Sequence, residues 1–384
     1  MVTISYIYDH NIIISKNMFK SKFFILFFIP FVIASCSMEQ KAEVDIINLS
    51  AYSVKMDSAY MGQYPYFIHN NYLFSFPTAK DKGCCISRIS KDSISNSDYF
   101  LNIGNGHDEF LHIFLGKGGN GSLLVLNSPQ TLNKLLSLTS IPAGESVEQM
   151  KKVELWKKYS LSNIQSSFSC TTRNVVGITD STLLIVGHPY EDPDHIFYVL
   201  DYKNQKLTKL DYFPSDGIKC NNFIKCGMYT NGSSIYSNGK DRFLYLCNEG
   251  YFAFIFTIEG NHVKVVKEIY SEYPKYKDFG DNMNYRMEKR LPKRLKCDVN
   301  NDNIYFLHVN KDKERNKSED YFSANFGDAV DVYNWDGIHE KTILLEEAGN
   351  IITVSEDNEQ LYLFNYLSNP EKNIVTSYSL YENK

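Results

Sequence analysis

His107, Asp108 and Glu109 stand in a row behind Ile103-Gly104-Asn105-Gly106. An imidazole beside two carboxylates can coordinate a cation or exchange a proton as acid and base. The same side chains also close turns by local hydrogen bonds, which is the competing account. A second set comes from a repeat along the chain. Asn127, His308 and Asn365 hold equivalent places in three copies, and Phe76, Gly187 and Cys247 hold them in the others. Brought to one level near the axis of a ring, Asn and His groups could bind a divalent ion or a small ligand. A metal needs several oxygen or nitrogen ligands at matched distance, and Phe, Gly and Cys spoil the set. Strand-end polar groups that satisfy their own backbone explain it as well. Gly116-Lys117-Gly118-Gly119-Asn120-Gly121 has the composition of a phosphate cradle, but a P-loop leads into a helix and these glycines lead into a strand. Glu191-Asp192-Pro193-Asp194-His195 is acidic enough for calcium and equally suits a solvated hairpin loop. Neither Gly-x-Ser-x-Gly nor His-x-x-Glu-His occurs, which weighs against a hydrolase. No catalytic residue, metal or cofactor is assigned.

The elements that position these residues follow from six short apolar runs: NNYLFSF, GSLLVL, STLLIV, RFLYLC, NIYFLH and QLYLFN. Aligned on Leu73, Leu124, Leu184, Leu244, Tyr305 and Tyr362, they are separated by 51 (124−73), 60 (184−124), 60 (244−184), 61 (305−244) and 57 (362−305) residues. Such a period marks a repeat architecture. Each run follows a stretch rich in Asn, Asp and Gly and is too short for a helix, so it reads as a strand buried on both faces. Further strands follow, and Trp335-Asp336-Gly337 carries the Asp-Gly signal of a hairpin. One small sheet cannot cover its own apolar faces. Six packed about an axis can, so the chain is expected to be all-β, a six-bladed β-propeller of antiparallel three- to four-stranded blades. Val147 to Tyr159 (VEQMKKVELWKKY) has helical spacing and is expected as an insertion between blades two and three.

The N-terminus reads as an export signal. Lys20 and Lys22 precede the apolar run Phe23 to Ile33, which is too short to span a bilayer. Ile33-Ala34-Ser35-Cys36 resembles the bacterial lipobox, which implies a lipid on the Cys36 thiol and cleavage just before it. Residues 1–17 fit no part of a signal, so translation is expected to start at Met18. Residues 1–35 are then a signal region (lipoprotein signal 18–35), 36–45 a tether and 46–384 a single propeller domain. The formal net charge of −5 becomes about −7 once Lys16, Lys20, Lys22 and Asp9 are removed, which argues against nucleic acid as a partner. Seven of the eight cysteines follow Cys36 with no CxxC spacing; Cys220 and Cys226 are the best local pair for a bridge. The 28 Tyr and 25 Phe suit strands, and can also furnish a sugar-binding surface.

Two segments carry a family likeness. One is Gly104-Asn105-Gly106-His107-Asp108-Glu109-Phe110. The other is Val330-Asp331-Val332-Tyr333-Asn334-Trp335-Asp336-Gly337 followed by Ile351 to Asp357 and Leu361-Tyr362. With the lipobox, they resemble the TolB-like six-bladed β-propeller lipoproteins of Bacteroidota across residues 40–384. The chain departs at His107-Asp108, where family members often show Gly-Pro. The resemblance implies an envelope lipoprotein with a propeller and brings no activity or catalytic set. The expectation is a non-catalytic module, anchored to the membrane through Cys36, that binds an envelope protein or glycan. The expected location is the outer membrane, and the absence of an acidic cluster after Cys36 points to its periplasmic side. The alternative is a metal-assisted lyase or hydrolase working in the central funnel.

Overall fold

The structure, a computed structural model, describes residues 44–381 apart from 58–59, 61–62, 78, 143–145, 165–166, 171–173, 191–192, 279–284, 288–295, 311–325 and 367–373. The signal region, Cys36 and residues 37–43 of the tether lie outside the described residues. The described residues form one compact unit.

The strands fold into six antiparallel meanders, one for each apolar run. Blade 1 comprises Tyr64–His69, Tyr72–Phe76, Lys82–Ile89 and Ser93–Ile103. Blade 2 comprises Ile113–Lys117, Leu123–Asn127, Ser137–Ile141 and Lys157–Ser160. Blade 3 comprises Asn174–Gly177, Thr182–Pro189, Phe197–Asp201 and Lys206–Lys209. Blade 4 comprises Ser234–Ser237, Phe243–Leu246, Tyr251–Glu259 and His262–Glu272. Blade 5 comprises Lys296–Val299, Asn303–His308, Gly327–Asn334 and His339–Gly349. Blade 6 has Ile351–Val354, Gln360–Asn365 and Ile374–Ser379. The six apolar runs are the second strands. Local turn chemistry sets the hairpins: Asn70 (φ 49) and Asn71 (φ 61) take the paired left-handed conformation of a two-residue turn. Gly337 (φ 78) closes the Trp335-Asp336-Gly337 hairpin.

The core is six apolar layers, one between each pair of neighbouring blades. Alternate residues of one second strand enter opposite layers: Leu123 and Val125 face blade 1, while Leu124 and Leu126 face blade 3. Likewise, Leu183 and Ile185 face blade 2, and Leu184 and Val186 face blade 4. Burial on both faces is why the runs are apolar without alternation. The sixth layer joins Tyr362 and Phe364 of blade 6 to Ile68 and Leu73 of blade 1, so the ring closes as a β-propeller. The period aligned Leu73 one residue out of phase. Leu124, Leu184, Leu244, Tyr305 and Tyr362 all face the following blade, whereas Leu73 faces the preceding one and Phe74 is the true equivalent. The first interval is therefore 50 (124−74). A side-chain period of two turns a one-residue slip into a change of face.

The expected helical insertion is also corrected. Only Val147–Met150 is α-helical, a 3₁₀ turn covers Val153–Leu155, and Lys157–Ser160 is the fourth strand of blade 2. The insertion therefore lies within blade 2, anchored by Val147 and Met150 in the layer between blades 1 and 2. Among the described residues no helix is long and apolar enough to cross a membrane.

An N-terminal strap completes the rim. Asp45–Leu49 adds in parallel to the outer strand of blade 5, Tyr52–Ser53 supplies the fourth strand of blade 6, and Lys55–Met56 adds in parallel to the outer strand of blade 1. Leu49 and Val54 sink into the two layers that flank blade 6.

Candidate functional site

The innermost strand of each blade faces the axis, so its axis-facing edge has no ladder within the blade. A buried backbone edge without partners is costly, and each gap between inner strands carries a stitch. Blades 2 and 3 pair directly in parallel, Val175 opposite Gly116. A Cβ at Gly116 would lie 1.8 Å from the Val175 carbonyl oxygen, so only glycine permits that approach. Between blades 3 and 4, the Asn174 amide accepts from Ile235 N at 3.0 Å and donates to Ile235 O. Between blades 4 and 5, Tyr236 OH donates to Cys297 O at 2.9 Å. Between blades 5 and 6, the Asp298 carboxylate accepts from Val354 N at 2.8 Å. His69 of blade 1 serves two gaps: Nδ1 lies 2.8 Å from Glu356 Oε1, next to blade 6, and Nε2 lies 2.7 Å from Gly121 O of blade 2.

These strands enclose a channel of about 470 Å³ lined from all six blades. Tyr64, Tyr66 and Phe76 wall its upper end, where the inner strands begin. Tyr66 meets Phe76 edge-on at 4.7 Å, and Tyr366 meets Tyr64 at 5.2 Å. Phe76 remains 42% exposed at the mouth. His69, Lys117, Gly118, Gly121, Asn301 and Glu356 surround the lower end. There Lys117 Nζ reaches across to Glu356 Oε1 at 2.8 Å, and Asn70 N donates to Glu356 Oε2 at 3.0 Å. Burial disfavours the Glu356 carboxylate, but His69 and Lys117 outweigh it and hold the group far below the usual carboxylate range. Asp298 behaves oppositely. Burial pushes it up to about 6, only partly offset by Lys117 and the Val354 N–H. A strongly perturbed carboxyl in a cavity is a mark of a working site.

The upper face continues outward from the mouth. Helix Asn222–Thr230 lies before blade 4, capped by Asn221, whose side chain accepts from Phe223 N. Asp216 holds this segment: its buried carboxylate takes Lys225 Nζ at 2.9 Å, Tyr276 OH at 2.7 Å and Tyr229 OH at 3.0 Å. Those donors overcome its burial and keep it below the ordinary aspartate value. Phe223 of this helix packs against His188 at 4.3 Å and Tyr190 at 5.7 Å. Of the twelve large apolar side chains with substantial exposure among the described residues, Phe76, Leu111, Leu132, Tyr190 and Ile374 lie at upper strand ends or upper loops, and Leu155, Ile338 and Tyr381 lie at the lower end. Among the described residues the upper face is therefore the more apolar of the two ends.

The residues singled out from sequence fall elsewhere. His107 and Asp108 pair at 2.8 Å in the exposed turn between blades 1 and 2. Lys158 also pairs with Asp108 and, more than His107, keeps its carboxyl below the usual range. Glu109 folds back to accept from Gly106 N at 2.8 Å. Asn127, His308 and Asn365 end the second strands of blades 2, 5 and 6, one strand out from the channel; of their set, only Phe76 lines it. Asn127 accepts from Leu111 N and His112 N, both at 3.2 Å, and Asn365 donates to Ala348 O at 3.4 Å. His308 lies 3.1 Å from Asp331, which also takes Thr342 Oγ1 at 2.7 Å and lies 3.3 Å from His339. Burial lowers the His308 basicity, yet Asp331 more than compensates and raises it. Gly116 and Lys117 end the inner strand of blade 2, residues 118–121 are the turn at the lower mouth, and of the acidic loop Glu191 and Asp192 lie outside the described residues. The Cys220–Cys226 bridge is not made: Cys226 is buried between blades 3 and 4, with Sγ 3.9 Å from Gly187 O, and Cys220 Sγ lies 3.7 Å from Asn221 O. Among the described residues no three His, Cys, Asp or Glu side chains form a group suited to a metal ion.

Apart from Phe76 and the Gly116–Gly121 stretch, the channel residues were missed because they lie on inner strands and their turns, which carry no aligned pattern. One signal was present: Asp298 interrupts the apolar pair Cys297 and Val299, a charge where both neighbours are core-like.

No protein-family model matches the chain, and no curated protein matches it. Solved structures do. U3-55K shows 8% identity and a TM-score of 0.44, covering 86% of this chain and 98% of that one. The β-propeller domain of Cps50 (Swd1) from Myceliophteria thermophila shows 10% identity and a TM-score of 0.41, covering 86% and 99%. The Dos1 propeller shows 9% identity and a TM-score of 0.43, covering 89% and 93%. These likenesses concern the outline of the fold alone.

Proposed function

We propose that this chain is a non-catalytic binding module of the cell envelope, tethered through a lipid on Cys36 and related to the TolB-like propeller lipoproteins of Bacteroidota. Its partner, an envelope protein or glycan, docks on the upper face. The observation that carries this reading is the concentration of exposed Phe76, Leu111, Leu132, Tyr190 and Ile374 on one end of a ring whose stitched inner strands hold the loops rigidly. Binding groups on loops over a rigid scaffold are the usual arrangement for recognition. The lipobox and the short apolar run before it support the anchor, and the lack of an acidic cluster after Cys36 supports the periplasm-facing side of the outer membrane.

A photo-crosslinking residue placed at Leu132 or Tyr190 in living cells tests this. Both positions are expected to trap one discrete partner, and the same probe at Val266 on the outer rim is expected to trap none. Equal trapping at all three, or trapping at Val266 alone, would refute the upper face as the docking side.

A further inference from the structure

We infer that the central channel receives the end of a neutral oligosaccharide, with a sugar ring against Tyr66 and Phe76 at the mouth and its hydroxyls reaching Asp298 within. The inference rests on the upper face being the docking side and names what enters there. Four observations lead to it. First, 470 Å³ lies in the range of small-molecule sites, roughly 300–1,000 Å³, and admits a chain end but not a folded domain. Second, the walls join aromatic faces to a few polar groups. That combination suits a pyranose, which presents C–H faces and a girdle of hydroxyls. Third, the charged lining is balanced: Lys117 and Lys296 stand against Asp298 and Glu356, with His69 bonded to Glu356. A strongly anionic or cationic ligand would find no complementary field, whereas hydroxyls, which donate and accept, fit both signs. Fourth, an extended peptide would seek an unbroken strand edge. The stitches at Asn174, Tyr236, Asp298 and His69 already occupy those edges.

Asp298 is the telling residue. Its carboxylate accepts from Val354 N at 2.8 Å and from Val299 N and lies in the field of Lys117, and an asparagine of the same shape would keep an acceptor there without burying a charge. Because it also lines the channel, that carboxylate offers a charged acceptor to a hydroxyl donor that enters.

The test uses the full lipidated chain in a detergent without a sugar headgroup. Saturation-transfer NMR and calorimetry are run with cellotetraose, maltotetraose, mannotetraose and chitotetraose, and with tetragalacturonate as the acidic control. At least one neutral probe is expected to bind in one-to-one ratio at pH 7.5. Asp298→Asn should weaken it about tenfold, the loss of one hydrogen bond to a charged group. Phe76→Ala, at an exposed position, should weaken it about as much while melting like the parent. No binding by any neutral probe, an unchanged affinity in Asp298→Asn, or tighter binding of tetragalacturonate would each overturn the inference. Crosslinks at Leu132 and Tyr190 would still stand in those cases, so this failure is distinct from that of the docking side.

Discussion

Asp298 ties stability to binding at the scale of a single residue. Burial raises it to about 6, above the aspartate of an unfolded chain, so the folded state holds its proton more tightly. Protons bound preferentially to the folded state make stability fall as pH rises, here between about 4 and 6. The difference amounts to roughly 3 kcal/mol of destabilisation, absent below that window and complete above it. Asp298→Asn removes the buried charge and keeps the acceptor for Val354 N. The variant is expected to exceed the parent by about 1–3 kcal/mol at pH 7.5 and to match it at pH 3.5 in denaturant unfolding. A variant less stable than the parent at pH 7.5 would show that the carboxylate supports the fold. The residues legible from sequence, His107, Asp108, Glu109 and His308, are polar groups satisfied close by: His107 by Asp108, Glu109 by Gly106 N and His308 by Asp331. Asp298 stood alone in a strand, and an isolated charge announces nothing until the cavity beside it is known.

The least legible element was the strap. The second strands were readable because burial on both faces makes them uniformly apolar. Asp45–Leu49 leaves Ile46 66% exposed, and its pairing with Lys341 to Leu345 is parallel and spans nearly the whole chain. No local pattern encodes a partner that distant. Its energetic role is nevertheless plain. Blade 6 has three strands from the C-terminal chain and one from Tyr52–Ser53, and Val54 N donates to Val375 O at 3.0 Å. Leu49 fills the layer between blades 5 and 6 beside Leu345 and Tyr378. Leu49→Ala is expected to cost about 2–4 kcal/mol. Removing residues 44–56 should lower the melting temperature far more, because it frees the outer edges of three blades at once. A deletion that melts within a few degrees of the parent would show that the ring closes without the strap.

For the whole molecule, the period of the runs predicted a ring, since no blade covers its own apolar faces, and six interblade layers are what the fold contains. Which end of the ring meets a partner was not legible. That depends on loops of blades 1, 2, 3 and 6 that are far apart in sequence and meet only when the ring closes. The central claim is that recognition takes place at the apolar upper end. Hydrogen–deuterium exchange tests it most directly, on the lipidated chain in outer-membrane vesicles from its own cells against the same chain in plain lipid vesicles. Protection is predicted in peptides covering Tyr64 to Phe76, Leu111, Leu132 and Tyr190. Protection confined to the outer strands Ser93–Ile103 and His262–Glu272, or to the lower turns at Gly121 and Asn301, would contradict the account.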